Sequence, residues 1–332
     1  MNRFLIITTI NSPNRILEEI VQGATGHGVE TIIIGDKKTP PGFNLPGSVY
    51  VSPEEQQLQF PEFSETLPWN SYARKNIGYL FAISHDAALI QETDDDNIPL
   101  EKFWEVPGIP VKTVVSEKGG WYNVYRYFTE NNTVIWPRGF PIQQIQTEFP
   151  VTFSNAGGLK PLVFQGLADV NPDVDAIYRM TGILPFNFSE REAVMLSPGI
   201  WCPFNSQNTV FLPEAYPLLY LPSTCSFRMT DIYRSLIAQR CLWASGSAVT
   251  FHSPTVYQER NEHDLLRDFE DEIAGYLNID KARAALDNCE LRKDDMLYNL
   301  EICYQAMFRL NLIKEHEFPI LNKWIQFFKN RR

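Results

Sequence analysis

The sequence lacks the features that mark membrane and secreted proteins. No run approaches the roughly 20 consecutive apolar residues that a membrane-spanning helix needs. The apolar stretch at residues 4–10 ends in a turn signal without a small-residue cleavage site, so no signal peptide is expected. The five cysteines form no CxxC pair and are odd in number, which favours reduced thiols over a disulfide framework. These absences predict a cytoplasmic protein.

Basic residues and several catalytic signatures are also scarce. Only 29 Lys and Arg stand against 40 Asp and Glu, for a formal net charge of −11. Proteins that bind nucleic-acid polymers need a basic surface to displace counterions from phosphates, so we expect no such partner. There is no HExxH, GxSxG or Walker sequence, and GATGHG at residues 23–28 lacks the GxGxxG order. Zinc hydrolases, nucleophile-elbow hydrolases, P-loop enzymes and dinucleotide-binding folds therefore have no support.

The residues that are present predict an α/β sheet at the start of the chain. The composition, 44% hydrophobic and 13% aromatic, is that of a folded globular protein. Residues 3–10 and 30–36 are typical of strands buried on both faces, and apolar residues recur at helical spacing between them. Strand, helix and strand in this order predict parallel pairing. Ligands of such sheets bind beyond the carboxyl ends of the strands, where Thr8, Thr9 and Asp36 lie.

Three consecutive aspartates, Asp94 to Asp96, follow a short apolar segment. Adjacent carboxylates repel one another, so a fold that keeps them at a strand end usually holds a compensating cation. Oxygen ligands favour Mg²⁺ or Mn²⁺, which take further ligands from substrate phosphates. A solvated acidic turn is the alternative and the commoner fate of a charge run, but the preceding buried strand favours the metal site.

Arg74 and Lys75 lie near the start of the predicted helix that leads to the aspartates. A helix N-terminus, a guanidinium and an ammonium together suit a diphosphate. On the residues alone, a pair of basic side chains on the surface is the favoured alternative, and proximity to the triple aspartate raises the standing of the functional interpretation.

Five segments resemble those of the STELLO family of glycosyltransferases, in the same order and with similar spacing, from about residue 3 to residue 260. They are NSYARKNIGYLFAI, WPRGFPI, NPDVDAIYR, PFNSQNTVF and TDIYRSLIAQRCLW. More faintly, the chain resembles the reversibly glycosylated polypeptides, which include the UDP-arabinopyranose mutases. Those proteins have a triple aspartate, an RGYP-type turn like that at Arg138, a DxDA segment like residues 173–176 and an acidic helix start like Asp231.

Both resemblances imply a GT-A fold, which is a Rossmann-like α/β sheet that binds a nucleotide sugar through Mn²⁺ or Mg²⁺. We expect a catalytic domain at residues 1–260, divided into a nucleotide-binding half at 1–110 and a sugar and acceptor half at 111–260. Residues 261–332 have helical periodicity and are expected to form a C-terminal extension.

The resemblances also imply roles for individual residues. The expected donor-binding residues are Thr8, Thr9, Asp36, Arg74, Lys75, Asp94, Asp95, Asn205 and Asn208. Arg138, Asp175 and Asp231 are expected to be catalytic, and Asp94 and Asp96 to hold the metal. Each role has a structural alternative: an arginine in a turn can be a plug, an aspartate can start a helix, and asparagines can close turns.

One position departs from the mutase pattern. Gln258 stands where those proteins have a histidine after the late strand. If that histidine is a metal ligand, this chain uses another group, His252 or His263, or leaves the position to water.

The leading hypothesis is a metal-dependent glycosyltransferase that moves a sugar from a UDP-linked donor to a glycan or lipid-linked acceptor, as in polysaccharide biosynthesis. A nucleotide-sugar mutase and a non-catalytic scaffold remain alternatives, and a homo-oligomer is left open. The terminal segment NKWIQFFKNRR mixes aromatic and basic residues. It can lie peripherally on an anionic membrane, but an ordinary terminal helix with a buried apolar face is favoured.

Overall fold

A mixed sheet forms the centre of the computed structural model, which describes residues 2–108, 112–130, 133–155, 158–261 and 264–331. The strands are β1 (Arg3–Thr8), β2 (Val29–Ile34), β3 (Ser48–Val51), β4 (Leu89–Thr93), β5 (Asn97–Pro99), β6 (Lys112–Val115), β7 (Gly120–Trp121), β8 (Thr152–Asn155), β9 (Lys160–Asp169), β10 (Val194–Leu196), β11 (Ile200–Trp201), β12 (Asn208–Phe211) and β13 (Ser247–Gln258). The order in the main sheet is β3-β2-β1-β4-β12-β9-β13-β10-β6-β8, with β5 paired to β13, while β7 and β11 form a separate pair.

Helices pack against the sheet, and further helices come after the last strand in the chain. The α-helices are α1 (Arg15–Gly26), α2 (Pro53–Gln59), α3 (Pro61–Thr66), α4 (Lys75–Ser84), α5 (Val124–Tyr127), α6 (Ala176–Thr181), α7 (Thr230–Ala244), α8 (Leu265–Asp287), α9 (Met296–Arg309) and α10 (Glu317–Lys329). Short 3₁₀ helices lie at Tyr72–Arg74, Glu101–Trp104, Ile142–Gln144, Pro213–Leu219 and Phe227–Met229.

The first half of the sheet is parallel, as the strand, helix and strand pattern predicted. β1 pairs in parallel with both β2 and β4, and β2 pairs in parallel with β3. The N-cap of α1 is Asn14, whose side chain accepts a hydrogen bond from the backbone of Leu17. The carboxyl ends of β1, β2 and β4 therefore meet at one edge of the sheet.

The connection at residues 37–70 is rich in proline but is not an extended loop. It contains β3, α2 and α3. Ser52 and Glu55 form a capping box at the start of α2, with Pro53 in the first turn. This local signal was present in the sequence, but the prolines around it concealed it.

The antiparallel strand β12 brings the second half of the chain to the aspartates. β12 pairs with β4 so that Asn208 lies opposite Thr93, and on its other side β12 pairs antiparallel with β9. Because antiparallel neighbours run in opposite directions, the loop that precedes β12 lies next to Asp94.

The terminal segment buries its apolar side. Trp324 and Ile325 on α10 are buried, and Trp324 Nε1 donates a hydrogen bond to the carbonyl of Pro217 at 3.0 Å. None of the helices in the described ranges has the length and apolar character required to cross a membrane. Peripheral membrane contact stays a prediction. The expected α/β fold with C-terminal helices is confirmed.

Candidate functional site

The carboxyl ends of β1, β2 and β4 open into a cleft of about 490 Å³. Its walls include the ends of these strands, the loop before β12, the start of α7 and the chain that follows β13. All three consecutive aspartates line it, as do Thr8 and Thr9. The cleft lies where ligands of parallel sheets bind.

Asp94 is held from the side of α4 and the 3₁₀ turn before it. Its Oδ1 accepts a hydrogen bond from the Tyr72 hydroxyl at 2.7 Å and lies 3.3 Å from Lys75 Nζ. The Tyr72 hydroxyl also lies 2.5 Å from Ser206 Oγ, in the loop before β12. Burial raises the pKa of Asp94 to about 6, although Lys75 opposes this shift, and the nearby Asp96 adds to it.

Asp95 and Asp96 point to different partners. Asp95 Oδ2 accepts hydrogen bonds from Thr9 Oγ1 at 2.6 Å and Asn11 Nδ2 at 2.9 Å. The two oxygens of Asp96 lie 3.1 and 3.0 Å from Gln258 Nε2. Burial raises the pKa of Asp96, while the hydrogen bond from Gln258 lowers it.

The chemistry of these side chains fits a divalent metal bound together with a diphosphate. Asp96 is buried and Asp94 is half-buried, and desolvation destabilises the charged form of each carboxylate, so a cation would compensate them. Within the described ranges, no group of three or more His, Cys, Asp and Glu side chains could hold a metal ion. Mg²⁺ is commonly held by one or two carboxylates while phosphates and water complete its coordination. Two aspartates therefore suffice for a metal that arrives with its nucleotide.

The structure does not support His252 as a metal ligand. His252 lies on β13, outside the cleft, and its Nδ1 is 2.9 Å from the carbonyl of Ser253. Burial lowers the pKa of His252. His263 lies outside the described residues. Instead, Gln258 contacts Asp96 directly, at the position where the sequence departs from the mutase pattern.

Asp36 shapes the wall of the cleft at the end of β2. Its Oδ1 accepts a hydrogen bond from the backbone of Asn70 at 2.8 Å, and its Oδ2 accepts one from Ser71 at 3.2 Å. These bonds fasten the segment that leads into the 3₁₀ turn at Tyr72. Asp36 is buried and lines the cleft with Thr8 and Thr9, as expected for a nucleotide site.

Arg74 and Lys75 were predicted to face phosphates, but both side chains are occupied by internal hydrogen bonds. The Arg74 guanidinium donates hydrogen bonds to Gln56, Ser64 and Leu67, and burial lowers its pKa to about 10. Lys75 Nζ is fully buried and donates to Tyr72, Thr93 and Ser206 besides Asp94. Arg74 therefore supports the wall of the cleft, and Lys75, which does not line the cleft, is held against Asp94.

Arg138 and Asp231, which were each expected to be catalytic, form an ion pair in the wall of the cleft. Arg138 Nη1 and Nη2 each donate to a carboxylate oxygen of Asp231 at 2.9 Å. Arg138 Nε and Nη2 also donate to the two oxygens of Asp173 at 2.9 Å. Although burial alone would raise the pKa of Asp231, the charge and hydrogen bonds of Arg138 lower it. Asp231 is thus an ionised, oriented carboxylate.

Asp175 was expected to be catalytic, but Asp173 is the aspartate that lines the cleft and contacts Arg138. Asp175 is fully buried and lies outside the cleft, where its carboxylate caps α6 and accepts hydrogen bonds from Tyr178 N at 2.8 Å and Trp136 Nε1 at 2.6 Å. Both aspartates belong to NPDVDAIYR, and spacing alone could not tell them apart. An aspartate directly before a short helical run was nevertheless a capping signal.

Asn205 and Asn208 face the interior of the sheet and do not line the cleft. Asn205 Oδ1 accepts hydrogen bonds from Gln165 and Gln207. Asn208 Nδ2 donates to the carbonyl of Leu167 at 2.9 Å. The residues between them, Ser206 and Gln207, line the cleft and were missed, since turn asparagines carry a stronger sequence signal than serine or glutamine.

The fold and the cleft define an α/β protein with a candidate ligand site at the carboxyl ends of its parallel strands. Residues 228–329 match the family model described as STELLO glycosyltransferases. The chain is 29% identical over 304 residues to "Probable glycosyltransferase STELLO2" of Arabidopsis thaliana, and 28% identical over 283 residues to "Probable glycosyltransferase STELLO1" of the same plant. The resemblance that the five segments predicted is confirmed.

Each alignment covers most of this chain but only a minor part of the Arabidopsis protein. They include 83% and 77% of this chain but only 38% and 35% of the Arabidopsis proteins, so the chain spans less than two fifths of the relatives' length. The solved structures that match include glucosyl-3-phosphoglycerate synthase from Mycobacterium tuberculosis with Mn²⁺, UDP-glucose and phosphoglyceric acid. That match has 10% identity and a TM-score of 0.42, and covers 90% of this chain and 80% of the synthase.

Proposed function

We propose that this chain is a metal-dependent glycosyltransferase that moves a sugar from a UDP-linked donor to a glycan or lipid-linked acceptor. The observation that carries the proposal is the position of Asp94 and Asp96 in a cleft at the carboxyl edge of a parallel sheet. The similarity to STELLO glycosyltransferases supports the same activity. The proposed catalytic domain ends near residue 260, between β13 and α8.

In this proposal the donor lies along the strand ends. Thr8, Thr9 and Asp36 line the part of the cleft that would receive the nucleoside. Asp94 and Asp96 would hold Mn²⁺ or Mg²⁺, which would act as a Lewis acid on the diphosphate leaving group. Asp95 is already bonded to Thr9 and Asn11, so its role would be to fix the rim of the cleft.

Arg138, Asp173 and Asp231 would act on the sugar side. Because Arg138 keeps Asp231 ionised, Asp231 is a weak proton acceptor and better suited to orient a hydroxyl or to stabilise positive charge on the sugar ring. Arg138 is neutralised by two carboxylates, so it would hold them in place and not clamp the diphosphate. This pairing favours transfer over a mutase mechanism that relies on the arginine itself.

Incubation with Mn²⁺, a panel of nucleotide sugars and glycan or lipid-linked acceptors tests the proposal. Acceptor-dependent release of UDP together with a glycosylated product would support it. Ring isomerisation of the sugar with the nucleotide intact would support the mutase activity instead. If no donor reacts, the non-catalytic scaffold would be the remaining hypothesis.

Substitution of the metal-binding aspartates gives a second test. The double variant Asp94→Asn with Asp96→Asn should lose Mn²⁺-dependent binding of UDP, measured by calorimetry. The control variant, Asp86→Asn with Asp294→Asn, changes two exposed aspartates and should bind UDP normally. Unchanged affinity in the first variant would overturn the metal assignment.

A further inference from the structure

Besides the triple aspartate, the cleft contains a second charged region formed by arginines from three elements. Arg179 lies on α6, Arg228 lies in the 3₁₀ turn before α7, and Arg260 follows β13. None of the three was assigned a role by the sequence. Their side chains converge although they are distant in the chain, and such convergence of cations requires compensation.

Two of these arginines have carboxylate partners. Arg228 Nη2 lies 2.8 Å from Glu272 Oε1, and Arg260 Nη2 lies 2.7 Å from Asp268 Oδ2. Glu272 and Asp268 are on α8 and do not line the cleft, so they pair with the arginines from behind. This arrangement orients guanidinium groups at the wall of the cleft.

Arg179 is the exception. Its Nη2 donates to the carbonyl of Pro172 at 2.8 Å, and its Nε is buried without a hydrogen-bond partner. Among the residues that the structure describes, no carboxylate lies within ion-pair distance of Arg179. Burial, reinforced by the charges of Arg260 and Arg228, lowers the pKa of Arg179 to about 9. A cation in this state gains stability when an anion binds beside it.

The surroundings of Arg179 differ from those of the triple aspartate. The charged groups that act most strongly on Arg179 are Arg260, Asp173, Arg228 and Asp268, and no member of Asp94 to Asp96 is among them, although the charge of Arg260 also acts on Asp96. An apolar side chain, Phe227, also lines the cleft and is 56% exposed. The region thus combines a cation that forms no direct ion pair with the described carboxylates and an exposed aromatic ring, which suits a ligand that is partly anionic and partly apolar or sugar-like.

We propose that Arg179, assisted by Arg260, forms an anion subsite for a phosphate or carboxylate group carried by the acceptor, separate from the site of the donor diphosphate. This inference rests on the proposed glycosyltransferase function and narrows its acceptor to an anionic class. Arg179 is a binding residue for the acceptor, and Phe227 provides the apolar surface beside it.

Calorimetry on the full chain with inorganic phosphate as the probe tests the subsite. The protein is first saturated with UDP and Mg²⁺, so that the diphosphate position is filled, and phosphate is then titrated. We expect phosphate to bind once per chain, and Arg179→Gln to weaken this binding at least tenfold while UDP affinity stays unchanged. Arg179→Lys, which keeps the charge, should retain part of the affinity. Arg292→Gln, at an exposed arginine outside the cleft, is the matched control and should bind phosphate normally.

The outcomes separate the inference from the function on which it rests. The proposed subsite is refuted if phosphate binds only in the absence of UDP. It is also refuted if phosphate binds equally to wild type and Arg179→Gln. If UDP and Mg²⁺ do not bind at all, the glycosyltransferase proposal fails, whereas phosphate binding that depends on Arg179 still supports an anion site.

A comparison of donors distinguishes the source of the anion. Arg179→Gln should bind UDP-glucose and UDP-glucuronic acid with the same ratio of affinities as wild type. A selective loss of UDP-glucuronic acid would place the anionic group on the donor and overturn the acceptor assignment.

Discussion

Glu92 and Arg234 form a bidentate ion pair that joins the central sheet to α7. Arg234 Nη1 and Nη2 donate to the two carboxylate oxygens of Glu92 at 2.9 and 2.6 Å, and both side chains are completely buried. Glu92 precedes Asp94 by two residues on β4, and Arg234 follows Asp231 by three residues on α7. The pair therefore sets the spacing between the aspartates and the opposite wall of the cleft.

Loss of one partner should be costly. In Arg234→Met, the buried Glu92 carboxylate keeps only the hydrogen bond from the Tyr79 hydroxyl. We expect the free energy of unfolding in urea to fall by about 3–5 kcal/mol. Adding Glu92→Met should recover much of that loss, because no unpaired charge remains buried. If the single and double variants were equally destabilised, packing and not charge would explain the effect.

Asp175 should make stability depend on pH. Burial raises its pKa to about 6, and the nearby Glu272 adds to this shift, so between about pH 4 and 6 the folded state binds more protons than the unfolded state. The contribution of Asp175 to stability is complete below pH 4 and is lost as the pH rises through 6, by roughly 3 kcal/mol. Asp175→Asn should remove this part of the slope in urea unfolding, although Trp136 loses an acceptor. An unchanged slope would contradict the assignment.

Gln258 offers a test of the metal site that does not depend on activity. Its amide contacts both oxygens of Asp96, whereas the mutase-like proteins have a histidine there. Imidazole is a better ligand for Mn²⁺ than a side-chain amide, so Gln258→His should tighten Mn²⁺ binding about tenfold in the presence of UDP, or about 1.4 kcal/mol. Electron paramagnetic resonance of free Mn²⁺ measures the change. Gln258→Leu should show no such gain, and equal affinities in all three proteins would refute the prediction.

Trp324 tests whether the C-terminal helix belongs to the core. The indole is buried, and it packs against Phe63 and Tyr220 with ring centroids 6.0 and 5.6 Å away. Trp324→Ala should lower the free energy of unfolding by about 3–5 kcal/mol. Leu58→Ala, at a side chain that is 81% exposed, should change it by less than about 0.5 kcal/mol. A small effect at Trp324 would mean that α10 detaches readily.

Local patterns predicted those elements whose hydrophobic periodicity is strong. The buried strands β1 and β2 and the helix between them follow from apolar runs, because a parallel sheet covered on both faces needs near-continuous apolar strands. The position of Asp94 to Asp96 at the end of β4 follows in the same way. The helices of residues 37–70 were missed because prolines, which end many helices, stand in the first turn of these two.

Side-chain direction was beyond the reach of the sequence. Arg74, Asp175, Asn205, Asn208 and His252 are polar residues near functional segments, yet the structure turns each of them away from the cleft or occupies it with internal hydrogen bonds. Spacing gives the order of residues along an element. It does not show which neighbouring element satisfies each polar group, and buried polar groups must find such partners.

The sequence by itself determined the α/β class, the acidic cluster at a strand end and the likeness to STELLO glycosyltransferases, since these depend on local periodicity and ordered motifs. Only the tertiary structure decided that Asp173 and not Asp175 meets Arg138, that Gln258 reaches Asp96, and that Arg179 lines the cleft without a carboxylate partner in the described part of the chain. The physical reason is that the residues of the first two contacts are separated by 35 and 162 positions in the chain. The state of Arg179 depends on which groups find partners when the chain folds. Such contacts arise when strand pairing and helix packing bring distant segments together.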